Sequence, residues 1–150
     1  MFYIGIDVSK AKLDCSLLTD ATNKKRKSKV VINSITGISD LLVWTNKQHV
    51  TNDKLHAILE GTGVYHEQAA QALHNAGVCV SIVNPAHVRN FTFGLGIRNK
   101  TDDMDSFVLA RYGALVQPLG FHPLKKLERC KHYSNVVKRF HMTFFVKRIA

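Results

Sequence analysis

Acidic side chains are scarce in this 150-residue chain, eleven in all, so the places they occupy carry information. Asp7 closes a short apolar run over residues 2–7. Glu60 closes another over 55–60, just ahead of Gly61-Thr62-Gly63. Asp102 and Asp105 stand three apart at the start of a segment with helical spacing, so they share the face that continues through Leu109, Tyr112 and Val116. If the two apolar runs are neighbouring strands, all four carboxylates converge on one place. Hard, anionic oxygen donors in that number suit Mg²⁺ or Mn²⁺. Two such ions ~3.5 to 4 Å apart stabilise the attacking and leaving oxygens of an in-line phosphoryl displacement. The plainer alternative makes Asp7 a strand-end turn residue and has Asp102 and Asp103 merely complement a helix dipole. Asp103 and Asp14 read as surface residues.

The elements that would position these acids follow from periodicity and breakers. Residues 2–7, Lys12–Leu18 and 29–33 read as three strands with short links, hence an antiparallel meander. The period then becomes helical through Ile35, Ile38, Leu41, Leu42 and Thr45, with Ser34 or Thr36 as N-cap. A fourth strand ends at Glu60, and a helix over Tyr65–Asn75 is closed by Gly77 as its C′ residue. Residues 78–83 form the fifth strand, stopped by Asn84-Pro85, and 86–93 read as a short helix before a basic, glycine-containing loop at 94–99. Thr101 caps a last helix that runs to about residue 117, before Pro118. The order βββαβαβα describes an α/β protein: a mixed sheet of about five strands with helices on its faces, as in the ribonuclease H-like fold.

Composition narrows the class. With 45% hydrophobic residues, 9 glycines and 3 prolines the chain has the makeup of a globular domain, not of a disordered or collagen-like segment. No apolar stretch approaches the ~20 residues that cross a bilayer, and no secretory leader is visible, so a cytoplasmic protein without membrane contact is expected. Cys15, Cys79 and Cys130 form no CxxC pair, which disfavours a disulfide framework or a zinc ribbon and suits a reducing compartment. Lys and Arg outnumber Asp and Glu by 21 to 11, and the +10 formal charge points to a polyanionic partner, nucleic acid first. The charge is concentrated: residues 122–150 carry eight basic side chains against Glu128 alone, +7 of the total.

Four blocks together identify a family. Ile4-Gly5-Ile6-Asp7-Val8-Ser9-Lys10 with Leu13-Asp14 comes first, followed by Glu60-Gly61-Thr62-Gly63-Val64-Tyr65. Val83-Asn84-Pro85 with Arg89 and Phe91 is next, then Lys100-Thr101-Asp102 with Asp105, Leu109 and Ala110. In this order they resemble the DEDD-type insertion-sequence transposases, RuvC-like recombinases guided by a bridge RNA. The resemblance implies a RuvC-like domain over residues 1–118, with Asp7, Glu60, Asp102 and Asp105 as catalytic acids that bind two Mg²⁺ or Mn²⁺ ions. It further implies DNA cleavage and strand transfer in transposition, a structured guide RNA as a second partner, and homo-oligomers in the full-length proteins. Family members look about twice as long or longer, with a serine-bearing C-terminal domain that nothing here matches. Residues 119–150 therefore read as a basic tail of a truncated or frameshifted copy, and the chain alone is expected to be inactive in strand exchange, with weak Mn²⁺-stimulated nicking by water the most it could do.

Other signals are weaker. Arg98 and Lys100 flank the acids, and Lys10 follows Asp7; all three are candidates to hold nucleic-acid phosphate. The basic run over residues 23–29 is either a phosphate grip or a solvated turn. The tail, with Phe140, Phe144 and Phe145 among Lys and Arg, is either a nucleic-acid-binding helix or an out-of-frame peptide. His122, Cys130, His132 and His141 fit no zinc spacing. Two alternatives to the recombinase stay open: a catalytically dead nucleic-acid-binding module, and an actin-like or sugar-kinase-like ATPase, whose first phosphate loop Gly5-Ile6-Asp7-Val8-Ser9 resembles.

Overall fold

The computed structural model describes residues 1–20, 22, 25–96 and 102–121, with the side chains of Asp102 and Asp103 outside the description. The strands are β1 (Phe2–Val8), β2 (Lys12–Leu18), β3 (Arg26–Ile32), β4 (Leu55–Glu60) and β5 (Cys79–Val83). The helices are α1 (Ile35–Lys47), α2 (Tyr65–Asn75), α3 (Pro85–Gly94) and α4 (Asp102–Val116), with a 3₁₀ turn at Asn52–Lys54. They form one sheet in the order β3-β2-β1-β4-β5. β1 pairs antiparallel with β2, and β2 with β3, whereas β1–β4 and β4–β5 are parallel. The meander followed by crossovers is the topology the sequence predicts, and it puts the ends of β1 and β4 side by side.

Period-two alternation splits each strand between two cores. Ile4 and Ile6, Leu13, Cys15 and Leu17, and Ala57 and Leu59 face α1 and α2, where they pack with Ile38, Leu41, Ala69, Ala70 and Leu73. The opposite parity, Ile58 and Val83 among it, faces α3 and α4 and packs with Val88, Val108, Leu109 and Tyr112. Leu18 joins Phe107 and Ala110 on that same side. Burial pushes the Cys15 thiol far above its usual range, so it is an inert core residue rather than a nucleophile.

The helix ends obey local rules. Ser34 caps α1 by accepting from the Gly37 amide at 3.0 Å. Asn84 caps α3 by accepting from the Ala86 amide, with Pro85 in the first turn. Gly77, at φ +83°, follows the C-cap of α2. Thr101, the expected cap of α4, lies outside the described residues. After Val116 the chain turns at Gln117 (φ 50°) and Pro118 and returns along β5, where the Phe121 amide donates to the Val80 carbonyl.

One element starts earlier than its sequence suggests. β3 begins at Arg26, because the ladder with β2 runs from Lys12↔Ile32 through to Leu18↔Arg26. Most of the basic run is therefore strand rather than turn; its members Asn23 and Lys24 lie outside the described residues. Arg26 does not reach for solvent: its guanidinium sits 4.4 Å from the centre of the Phe107 ring of α4.

Candidate nucleic-acid-processing site

The site is built where α4 crosses the sheet. Gly5 permits the crossing: a Cβ there would lie 1.9 Å from the Ser106 carbonyl oxygen and 2.4 Å from the Ala110 amide, so the helix backbone rests directly on β1. Further along α4, a Cβ on Gly113 would meet the side chains of Ile58 and Tyr3. Moving from Gly5 back to Tyr3 thus means moving forward along α4, and the helix runs antiparallel to β1. Two strand residues span about 6.6 Å, which is roughly four to five helical residues. Asp7, two residues beyond Gly5 on the same face, consequently lies under the first turns of α4.

Glu60 comes to the same place from β4. The last paired residues of β1 and β4 are Ile6↔Leu59, so Asp7 and Glu60 are the next step, on strands spaced about 4.8 Å apart. Both have the parity of the α4 face, and both are half-buried. Asp105, also half-buried, belongs to the first turns of α4. Three of the four expected acids are thereby placed at one end of one sheet face. Asp102 is the first residue of α4, but its carboxylate lies outside the description. Among the described residues, no group of three or more His, Cys, Asp or Glu side chains is spaced to hold a metal ion.

Asp14 corrects the sequence reading. It was expected at the surface, yet it is buried, and the β1–β2 register sets it directly opposite Asp7. Its carboxylate accepts from the Lys12 ammonium at 3.0 Å, which supplies the countercharge that burial demands. The missed signal is parity: Lys12, Asp14 and Ser16 alternate with buried Leu13, Cys15 and Leu17, so an acid at 14 must share the helix-covered face. Ser16 and Ser106 make a hydrogen bond of 2.8 Å across that face, tying β2 to α4; both are buried, so Ser106 is unavailable to attack a substrate.

Lys10 is exposed in the β1–β2 turn, three residues past Asp7. That turn is fixed by Ser9, whose hydroxyl donates to the Lys12 carbonyl and accepts from the Lys12 amide, and by Asn33, which donates to the Ser9 carbonyl. Arg98 and Lys100 lie outside the described residues, as do residues 122–150 with their histidines and Cys130. A second polar pair sits behind the site. The Ser81 hydroxyl donates to the Leu119 carbonyl at 2.8 Å, so its oxygen accepts from His56 Nε2 at 2.8 Å. Burial holds the His56 imidazole below its usual value of 6.5, that is, neutral.

This sheet order with a helix seated on the acid-bearing face defines a RuvC-like α/β domain. Two solved structures share it: Thermus thermophilus RuvC, with TM-score 0.55 and 15% identity over 81% of this chain and all of that one, and the same organism's RuvC in complex with a Holliday junction substrate, with TM-score 0.56 and 15% identity over 78% of this chain and 94% of that one. Residues 4–130 match the model of the DEDD transposase family, described as Transposase, and the chain belongs to that family. It is 37% identical over 121 residues to the pilin gene-inverting protein of Moraxella lacunata and 36% identical to that of Moraxella bovis. Each alignment covers 81% of this chain and 37% of the relative, so the chain spans little more than a third of their length. The actin-like ATPase reading gives way to this membership. Among the described residues, no helix is long and apolar enough to cross a membrane.

Proposed function

We propose that this domain binds DNA and uses Asp7, Glu60, Asp102 and Asp105 to hold divalent metal, Mg²⁺ or Mn²⁺ and two ions, for strand cleavage and transfer in transposition. The observation that carries the reading is the adjacency of Asp7 and Glu60 on parallel strands beneath the first turns of α4, which bear Asp105. The donor chemistry fits: these are hard carboxylate oxygens, and the half-exposure of all three leaves them reachable by a phosphate. Metal bound there would polarise the phosphodiester and favour a leaving or attacking oxygen.

The chain's own residues perform the positioning. The sheet fixes the spacing of Asp7 and Glu60, Gly5 sets the height of α4 above them, and Lys12 neutralises Asp14 so that a fifth acid adds no net repulsion beside Asp7. Lys10, exposed in the adjoining turn, would meet a DNA phosphate, and Arg98 and Lys100 are given the same task from the sequence. DNA as substrate is supported by the gene-inverting relatives and by the RuvC complex with a Holliday junction. A structured guide RNA, a homo-oligomer of the full-length protein, a cytoplasmic location, and a division into a catalytic unit over residues 1–118 and a basic tail over 119–150 belong to the same proposal.

A second reading, a nucleic-acid-binding module without catalysis, is favoured by the +10 formal charge, which accounts for binding by itself. Incubation of the purified chain with supercoiled DNA and Mn²⁺ separates the two. The catalytic reading expects Mn²⁺-stimulated nicking that Asp7→Asn and Glu60→Gln abolish while DNA binding persists. Binding without any metal-dependent nicking would support the second.

A further inference from the structure

The meander leaves β3 as the outer strand of the sheet, and between it and α1 lies a cavity of about 510 Å³. Lys29 and Lys47 line it together with Lys12, Val43 and Trp44, and among its described lining residues Asp40 is the only acid. Trp44 is half-buried and packs against the main core, so its indole is held in place before any ligand arrives. Val43, on the same helix, leaves more than half of its surface open beside it. Preset aromatic and apolar surface flanked by cations is the composition of a site that stacks bases and holds their phosphates.

We propose that this groove binds a single strand of DNA, with a base on Trp44 and phosphates on Lys29 and Lys47. The inference rests on the reading of the domain as DNA-acting and adds to it a place outside the carboxylate site. Charge and size select the occupant. The exposed edge of β3 carries Lys27 and Lys29, which blunt it against strand pairing, and a second copy of this chain would bring like charges face to face. The volume is that of a small-ligand site, which admits a splayed nucleotide and excludes a stacked duplex. Lys12 connects the groove to the candidate site: it lines the groove while its ammonium bonds Asp14, the register partner of Asp7.

Trp44 is the only tryptophan of the chain, so its emission reports the groove alone. The test titrates the full chain with oligothymidylate without metal, following tryptophan emission and the anisotropy of a labelled strand together. Saturable quenching is expected, with a duplex of equal length quenching less. Lys29→Gln combined with Lys47→Gln should lower the slope of log affinity against log salt by about 1.4, two phosphates' worth for a single strand, at unchanged melting temperature. DNA binding by anisotropy with unaltered emission would overturn the groove and leave the functional reading standing. Quenching by polyglutamate equal to that by DNA would also overturn it, in favour of an acidic peptide. Absence of DNA binding in both signals would contradict the functional reading and the groove with it.

Discussion

His56 illustrates how a single buried polar residue ties stability to pH. Its imidazole donates to Ser81, which in turn donates to the Leu119 carbonyl, and burial keeps the ring neutral. A histidine whose folded pKa lies below its unfolded value takes up its proton more readily when unfolded, so its stabilising contribution is complete above the unfolded value of 6.5 and is lost as pH falls below it. The melting temperature is therefore expected to drop between pH 7 and pH 5, and His56→Gln should flatten that part of the profile. An identical slope in the variant would remove His56 as the cause. At this scale the sequence was legible where a residue interrupts a pattern: Asp7 and Glu60 stand out because each ends an apolar run. Asp14 was not, because its burial depends on a cation at i−2 and on a helix that arrives ninety residues later.

Among the elements, the contact between β1 and α4 decides the geometry of the site. Gly5 has the helix backbone where a side chain would be, so Gly5→Ala must push α4 away from the sheet. Overpacking of this kind costs about 1–3 kcal/mol or more, since backbone rather than a flexible side chain has to yield. Thermal or urea unfolding checks the loss, and a variant as stable as the parent would show that α4 does not sit as described. Apolar runs and the breakers that close them were readable locally, which is why β2, α2 and the closing Gly77 agree with their sequence-based limits. The start of β3 was not: lysines and an arginine dominate its first half, and only the ladder with β2 and the stacking of Arg26 on Phe107 make that half a strand.

For the molecule as a whole, charge and acid placement pull in different directions, and each has its own test. DNA affinity is expected to fall steeply with salt, and deletion of residues 122–150, which hold +7 of the +10, should remove most of it. Full-strength binding by the 1–121 fragment would show the segment to be irrelevant. The fold order was legible as a whole because a meander followed by crossovers leaves few topologies. Whether the acids close on metal was not, because closure depends on the Asp102 carboxylate at the start of α4 as well as on the strand ends. Calorimetric titration of Mn²⁺ into the chain and into Asp7→Asn tests that central claim most directly. The account predicts saturable binding that raises the melting temperature of the parent and disappears in the variant, whose metal-free fold is intact. No binding to the parent, or equal affinity in the variant, would contradict it.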